Sequence, residues 1–316
     1  MHSLKINIIT HFNGVGLETD YRLLKTCLED LGHCVNGVSW VDQHFPNADI
    51  NIFFESFDID RFSSARLNWY VPNPEWFVNR TEELANFDLI LCRTKEAERI
   101  FQKLNQRTKY LGFTSPDCYR REIEKDYTKI FHLGGGSHQK GTQNILNLWK
   151  NSPFFPHLTV VTHLNLVFPP CQNNLTLLNH RLSEADLYYH QNHCGIHLCP
   201  SEAEGFGHYI VEAMSAGAVV LTTDAPPMNE LITESICLVP YTVSSAQRLG
   251  SRYFVDPQHL YQLIHRVLQL SKEELELIGA ENRKAYLNMK KRFHENLKLL
   301  LHTAVIKLQK SYTAPA

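Results

Sequence analysis

Two carboxylates flank a glycine turn in the segment 199–231. Glu204 lies in a loop after a buried strand, and Glu212 follows eight residues later on a helix that begins near His208. The Gly-Phe-Gly sequence at 205–207 lets the backbone approach a ligand closely. A helix N-terminus can hold a phosphate, and a carboxylate accepts hydrogen bonds well from a vicinal diol. The segment therefore predicts a site for a sugar and a phosphate, and the alternative is a helix N-cap with Glu residues favoured by the helix dipole.

A second glycine-rich loop, which ends at Lys140 and Gly141, follows another predicted strand. It begins with three consecutive glycines at 134–136. One ammonium opposite a diphosphate can stabilise the charge that develops as the diphosphate leaves. The order Lys-Gly-Thr differs from the Gly-Lys-Thr of a Walker loop, which excludes a nucleotide site of that kind. A tight strand-to-helix turn is the alternative interpretation.

Strands and helices alternate along the chain, which is typical of parallel sheets covered by helices on both faces. The apolar runs predict a first series of strands at 5–10, 50–54, 67–71, 89–92 and 109–111, with helices at 19–31 and 95–104. They predict a second series of strands at 128–133, 158–161, 175–178, 195–199 and 218–222, with helices at 143–149, from Ser183 and from Tyr209. A doubly wound sheet binds its ligand at the carboxyl ends of its strands, where both glycine loops lie.

A length of 316 residues suits two domains better than one. The strand-helix cycle restarts near residue 126, so we expect an N-terminal Rossmann-like domain at 1–125 and a C-terminal one at 126–290, facing each other across a cleft. The remaining residues, 291–316, predict a helix with an apolar stripe that returns to the first domain. Because this helix also carries several lysines, a helix lying on a membrane surface is the alternative.

The segment 199–231 resembles the E-x7-E signature of retaining GT-B glycosyltransferases of family 4, the group 1 type. Glu204 and Glu212 match the two glutamates of that signature. The stretches Pro-Ser-x-x-Glu-Gly-Phe-Gly at 200–207 and Glu-Ala-Met-Ser-Ala-Gly at 212–217 match the positions around them. The resemblance implies an α/β protein of the GT-B fold, in which two Rossmann-like doubly wound domains face a cleft.

The resemblance also implies roles for individual residues. Glu204 corresponds to the glutamate that contacts the donor sugar, and Glu212 to the one that contacts the ribose. The loop 134–141 is similar to the family's G-R-x-x-x-x-K-G loop, with Lys140 at the lysine that pairs with the donor phosphates and Gly135 in place of the arginine. The other residues implied to bind the donor are Gly16, Gly136, Gly207, His208 and Tyr209.

Loops after strands of the first domain are the candidates for binding an acceptor. The segment 70–76 ends one of those strands, and Trp76 has a ring that can serve as a platform for a sugar. A rigid turn bounded by prolines explains the segment equally well. The candidate acceptor residues are Glu18, Asp20, Asn73, Glu75 and Trp76.

These observations predict a retaining hexosyltransferase that moves a sugar from a nucleotide-sugar, with UDP favoured over GDP, to a hydroxyl of a glycan, lipid-linked or other acceptor. The resemblance implies that no metal is essential, and we expect no cofactor besides the donor. A net charge of −2 gives no reason to expect nucleic acid. The sequence lacks a signal peptide and any run of 18 apolar residues, so we expect a cytoplasmic protein, with peripheral association at the inner membrane face as the alternative.

Three other functions remain open. The absent arginine is consistent with a non-catalytic nucleotide-sugar-binding subunit, and the same fold can serve a sugar-nucleotide epimerase. Asp58-Ile59-Asp60 spells the D-x-D with which metal-dependent GT-A transferases bind a divalent ion. A zinc site is a further alternative to a buried strand for the segment that contains His193, Cys194, His197 and Cys199.

Overall fold

The chain forms two compact units in the computed structural model, which describes residues 3–166 and 173–313 with side chains up to Lys310. The first unit consists of Met1–Thr114, Gln247–Gly250 and Met289–Ala316, and the second of Ser115–Ala246 and Ser251–Asn288. The last three residues of the predicted C-terminal helix, 314–316, lie outside the described part.

A parallel sheet forms the centre of the first unit, with the order β2-β1-β3-β4-β5-β6 in the part of the chain that the structure describes. Its strands are β1 (Lys5–Thr10), β2 (Cys34–Ser39), β3 (Ala48–Phe54), β4 (Ala65–Val71), β5 (Leu89–Cys92) and β6 (Thr108–Tyr110). The helices of this series are α1 (Gly16–Asp30) and α2 (Lys95–Lys103), with 3-10 turns at Ile59–Ser64, Pro74–Trp76 and Thr81–Asn86. Strand β2 was not predicted because it lies at a sheet edge, where only two of its six residues, Val35 and Val38, are buried and no apolar run results.

Helix α1 begins at Gly16, so the predicted start at Thr19 is wrong. The earlier start is possible because Gly14 adopts a left-handed backbone with φ of 74° and donates its N–H to Glu18 Oε2 at 3.0 Å. A carboxylate in the first turn also interacts favourably with the helix dipole. Gly16 therefore lies in the first turn of a helix rather than in the preceding loop.

An asparagine ladder crosses four strands of the first sheet and fixes their register. The side chain of Asn7 in β1 donates to Asn51 in β3 at 2.9 Å, and Asn51 donates to Asn68 in β4 at 3.1 Å. Asn36 in β2 donates to Asn7 at 3.1 Å. The same residues are paired in the strand registers, so a slip by one residue would leave buried amides without partners.

The end of the C-terminal helix packs within the first unit. Four of its apolar side chains are almost completely buried, namely Phe293, Leu297, Leu301 and Leu308. The ring of Phe293 lies 5.0 Å from that of Phe113, centroid to centroid. Burial of such a side chain stabilises the fold by roughly 1.5–3 kcal/mol before conformational entropy is counted.

Deletion of residues 293–316 is therefore expected to lower the melting temperature in detergent-free buffer, because it removes this apolar stripe and exposes the apolar surface that the stripe covers. Differential scanning calorimetry of the full and shortened chains measures the effect. The membrane-helix alternative would be supported instead by an unchanged melting temperature together with loss of binding to anionic liposomes.

The second unit has its own parallel sheet, with the order β12-β11-β10-β7-β8-β9 among its described residues. The strands are β7 (Asp126–Gly135), β8 (His157–Thr162), β9 (Leu175–Leu178), β10 (Cys194–Cys199), β11 (Val219–Thr223) and β12 (Leu238–Val239), and a two-stranded sheet contains β13 (Tyr241–Gln247) and β14 (Gly250–Val255). The helices are α3 (Thr142–Lys150), α4 (Glu184–His193), α5 (His208–Ser215), α6 (Met228–Leu231), α7 (Pro257–Val267) and the first part of α8 (Lys272–Thr313), with 3-10 turns at His138–Lys140 and Ser235–Cys237. From Met289 onwards α8 belongs to the first unit.

Five elements of this series were not predicted from the sequence, namely α6, α7, β12, β13 and β14, and two of them were missed for different reasons. Strand β13 is exposed along nearly its whole length, so it has no apolar pattern to detect. Helix α7 does carry a start signal, since Asp256 caps it by accepting from the N–H of Gln258 at 2.6 Å and Pro257 occupies the first turn.

None of the helices in the described ranges has the length and apolar character required to span a bilayer.

Candidate active site

Two loops meet at the carboxyl edge of the second sheet, because the strands that precede them, β7 and β10, are neighbours. The N–H of Glu202 in one loop donates to the carbonyl of Gln139 in the other at 2.8 Å. Gly141 closes the first loop with φ of 71°, and a Cβ at this position would lie 2.9 Å from the carbonyl oxygen of Pro200. The two loops can approach this closely only with glycine at position 141.

A buried histidine forms the floor beneath these loops. His132 in β7 is fully buried, with Nδ1 2.8 Å from the carbonyl oxygen of Leu198 and Nε2 2.8 Å from the hydroxyl of Thr142. A neutral ring satisfies both contacts, since Nδ1–H donates to the carbonyl and Nε2 accepts from the hydroxyl. Burial lowers the pKa of His132 to about 4 and keeps the ring neutral at physiological pH.

Stability is expected to depend on pH through His132. Its pKa in the folded state lies below its usual value of 6.5, so the unfolded chain binds more protons between about pH 6.5 and 4. The contribution of His132 to the free energy of unfolding is therefore fully present above pH 6.5 and is lost as the pH falls towards 4. The total loss is on the order of 3 kcal/mol. The unfolding free energy should fall less steeply with acidification in His132→Asn than in the wild type, and equal slopes would contradict the assignment.

Lys140 and Glu204 form the charged centre of the site. Lys140 Nζ lies 3.2 Å from Glu204 Oε1, and the two side chains are 20% and 15% exposed. The same carboxylate oxygen accepts from the hydroxyl of Ser201 at 2.5 Å. The ammonium also lies 3.3 Å from the centroid of the Tyr209 ring, whose hydroxyl contacts Ser201. These contacts fix an ammonium and a carboxylate side by side, which suits binding of a polar ligand that carries a negative charge.

Helix α5 begins beside this pair. Gly207 precedes it in a left-handed conformation with φ of 94°. The N-terminus of a helix carries partial positive charge, so the start of α5 at His208 and Tyr209 is suited to an anion. The ring of His208 is held at Nδ1, 2.8 Å from the hydroxyl of Ser115.

Glu212 lies one turn further along α5, where Gln191 orients it. The amide Nε2 of Gln191 donates to Glu212 Oε2 at 3.1 Å. Burial raises the pKa of Glu212, whereas the charges of His208 and Lys140 and the hydrogen bond from Gln191 lower it. Sequence analysis missed Gln191, and no local pattern marks it, since glutamine is ordinary near the end of a helix such as α4.

Gly135 and Gly136 line the other side of the first loop. Gly135 has φ of 53°, a conformation that side-chain-bearing residues rarely adopt. A Cβ at either glycine would meet no atom within 4 Å. The backbone conformation therefore explains why glycine, and not the arginine of the similar family loop, occupies position 135.

Residues 171–286 match the sequence model of the family described as glycosyl transferases group 1. The chain carries a glycosyltransferase domain. The matched residues include Glu204, Glu212 and Gln191, whereas Lys140 precedes them. No curated protein matches the chain in sequence.

Solved structures of glycosyltransferase-like architecture match almost the whole chain. Sucrose-phosphate synthase from Thermosynechococcus elongatus is 12% identical, with a TM-score of 0.73 over 96% of this chain and 99% of that one. The trehalose-6-phosphate structure from E. coli bound with UDP-2-fluoro glucose is 10% identical, with a TM-score of 0.69 over 95% and 98%. Anabaena HepE in complex with UDP and glucose is 17% identical, with a TM-score of 0.63 over 95% and 100%. These likenesses establish the predicted GT-B fold.

The candidate acceptor residues of this glycosyltransferase lie in the first unit and differ in accessibility. Trp76 is 48% exposed, whereas Asn73 and Glu75 are buried. Glu18 lies on α1, where it accepts from the N–H of Gly14 and pairs with Arg22. The amide of Asn73 donates to Glu55 at 2.6 Å, a contact that sequence analysis did not anticipate.

The two possible metal motifs have other roles in the structure. Asp58 caps the 3-10 turn at Ile59–Ser64 by accepting from the N–H of Asp60 at 3.0 Å. His197 is buried in β10, where Nε2 lies 3.1 Å from the carbonyl oxygen of Gln191. Over residues 3–166 and 173–313, no group of three or more His, Cys, Asp or Glu side chains is arranged to hold a metal ion.

Proposed function

We propose that the protein is a retaining glycosyltransferase of family 4 type, which transfers a hexose from a nucleotide-sugar to a hydroxyl of a glycan or lipid-linked acceptor without an essential metal. The observation that carries this proposal is the contact of 3.2 Å between Lys140 and Glu204 beside the N-terminus of α5. It brings together, from two separate loops, a cation for a diphosphate and a carboxylate for a sugar.

The donor binds to the second unit with each of its parts opposite a different group. First-turn N–H groups of α5 hold the diphosphate together with Lys140, because both present positive charge. Glu212, oriented by Gln191, accepts from the ribose hydroxyls. UDP is favoured over GDP as the nucleotide, which is consistent with UDP-sugar or UDP in two of the similar structures.

Glu204 positions the sugar and does not act as a covalent nucleophile. Its Oε1 already accepts from Ser201 and contacts the Lys140 ammonium, which stabilises the charge on the carboxylate and reduces its nucleophilicity. A positioned carboxylate can hold sugar hydroxyls while the diphosphate leaves. The bond between the anomeric carbon and the diphosphate oxygen breaks, and the acceptor hydroxyl attacks the anomeric carbon from the same face, which retains the anomeric configuration. The proton of that hydroxyl passes to the departing diphosphate oxygen, and Lys140 stabilises the charge of the leaving group.

The first unit supplies the acceptor site, and the protein acts in the cytoplasm, where it can associate peripherally with the inner membrane face. A non-catalytic nucleotide-sugar-binding subunit is the second candidate, favoured by the absence of the family's arginine at Gly135. The left-handed backbone of Gly135 gives that absence a conformational cause, so we prefer the catalytic function.

A panel of UDP-, GDP- and dTDP-sugars tests the proposal by thermal shift and by product analysis. A ligand at 100 times its Kd stabilises the folded state by about 2.7 kcal/mol, so the correct nucleotide should raise the melting temperature clearly. Transfer that persists in EDTA supports the proposal. Binding without turnover would indicate the non-catalytic subunit, and conversion of the donor sugar without acceptor would indicate an epimerase.

A further inference from the structure

Glu55 has a strained backbone immediately after strand β3. Its φ of 61° lies in the left-handed region, which residues other than glycine, asparagine and aspartate seldom adopt. Neighbouring residues of β4 impose this conformation, since the N–H of Glu55 donates to the carbonyl of Val71 at 3.0 Å and its carbonyl accepts from the hydroxyl of Tyr70 at 2.7 Å. Strain of this kind concentrates at functional sites, and glycine would relieve it.

The side chain of Glu55 lies at one end of a hydrogen-bonded network of buried polar residues. Asp20 and Arg93 form an ion pair at 2.6 Å, and their side chains are only 3% and 4% exposed. The guanidinium of Arg93 donates to Asn73 Oδ1, so the Nδ2 of that amide must point the other way, where it donates to Glu55 Oε2 at 2.6 Å. The charge pair thus fixes the amide, and the amide fixes the carboxylate.

The four residues of this network converge on one edge of the first sheet. Glu55 follows β3, Asn73 follows β4 and Arg93 follows β5, while Asp20 lies on the helix that follows β1. Ligands of doubly wound sheets bind at this carboxyl edge. Glu55, at the end of the network, is partly exposed, and the other three residues are buried.

We propose that Glu55 binds the acceptor, and that the acceptor presents neutral sugar hydroxyls to it. The inference rests on the proposed glycosyltransferase function. A carboxylate held on one oxygen by Asn73 offers the other to a hydroxyl, which donates a hydrogen bond to it. An acceptor phosphate at the same position would be repelled by the like charge, so the site favours a neutral sugar. Asn73 and Arg93 are positioning residues.

The experiment compares wild type with Glu55→Gly, Glu55→Gln and a matched control, Asn105→Gly. Asn105 is another left-handed residue, with φ of 56°, and it lies between α2 and β6. The probes are the methyl pyranosides of glucose, galactose, mannose and N-acetylglucosamine, detected by saturation-transfer NMR without any donor. Melting temperatures and UDP binding are measured on the same samples.

We expect at least one methyl pyranoside to bind the wild type and Asn105→Gly, and the signal to fall at least tenfold in Glu55→Gly. The melting temperature of Glu55→Gly should stay close to that of wild type, since glycine relieves the strain while the amide of Asn73 loses its acceptor. Glu55→Gln keeps an acceptor for Asn73 and should retain part of the binding. Unchanged binding in Glu55→Gly, or no binding of any probe to wild type, overturns the inference. Failure of the proposed function is a separate result, because it would appear as the absence of UDP binding and sugar transfer in wild type.

Discussion

Replacement of Glu204 by alanine is expected to reduce kcat/KM for sugar transfer by about 100-fold to 1,000-fold, the range typical for loss of one well-placed polar group in an active site. The substitution removes the carboxylate that we assign to the donor sugar and leaves Lys140 without the ion-pair partner 3.2 Å away. The fold should be retained, because Glu204 lies in a loop and contributes little apolar packing. Initial rates with the donor identified by thermal shift measure the effect, and circular dichroism checks the fold.

Glu202 provides a matched control in the same loop. Its side chain is 14% exposed, close to the 15% of Glu204, and it also pairs with a cation, Arg252. Glu202→Ala therefore removes an ion pair of similar burial without touching the proposed sugar contact, and it should change kcat/KM far less. Full transfer by Glu204→Ala, or equal losses in both variants, would contradict the assignment of Glu204.

The local part of the candidate donor site was predictable because the residues that form it lie close together in sequence. The spacing of Glu204 and Glu212 around a glycine turn predicts a loop followed by a helix, and α5 begins at His208 as expected. Lys140 lies in a different loop, which was predicted to lie at the carboxyl ends of the strands as well. That β7 and β10 are neighbours was not predicted and is seen only in the structure. The resemblance to a known signature then assigned roles that spacing alone left open.

Asn73 and Asp20 were among the predicted acceptor residues, but the contacts of the positioning residues were not predictable because their partners are far apart in sequence. Arg93 pairs with Asp20 across 73 residues, and Asn73 contacts Glu55 across 18. Each is an ordinary polar residue at the end of a strand or on a helix, and sequence periodicity carries no information about which of them converge. Gln191 contacts Glu212 from a different helix for the same reason.

The errors in the predicted secondary structure also arise because the sequence pattern carries only local information. Periodicity detects burial, so it finds β3, whose side chains are buried from Ile50 to Phe54, and misses the exposed β13. It also placed the start of α1 at Thr19, since the residues before Leu17 are not buried and the capping by Glu18 depends on the left-handed turn at Gly14. Element types were therefore more predictable than their ends.

Replacement of Lys140 by alanine is expected to weaken UDP binding and to lower kcat/KM for transfer by about 100-fold to 1,000-fold. Gly135 occupies the position of the family's arginine, so Lys140 is the cation that the resemblance assigns to the diphosphate. A charge that grows as the leaving group departs is stabilised more in the transition state than in the ground state, which lowers kcat as well as affinity. Isothermal titration with UDP and initial rates measure the two effects separately.

Lys140→Arg and Lys129→Ala are suitable controls for this prediction. Arginine keeps the positive charge but is a planar group, and it cannot reproduce the compact ammonium that lies 3.3 Å from the Tyr209 ring centroid, so partial activity is expected. Lys129 is a partly exposed lysine near the other end of the same strand, β7, and its loss should leave transfer unchanged. An unchanged kcat/KM in Lys140→Ala would contradict the phosphate role.

The double variant Lys140→Ala/Glu204→Ala distinguishes a coupled pair from two independent contacts. Each single substitution leaves the other half-buried charge without its partner, so part of each loss comes from the residue that remains. The double variant should therefore lose less activity than the product of the two single losses. Strictly multiplicative losses would show that Lys140 and Glu204 act on the donor independently, and that their contact in the ligand-free protein does not contribute to the geometry of the site.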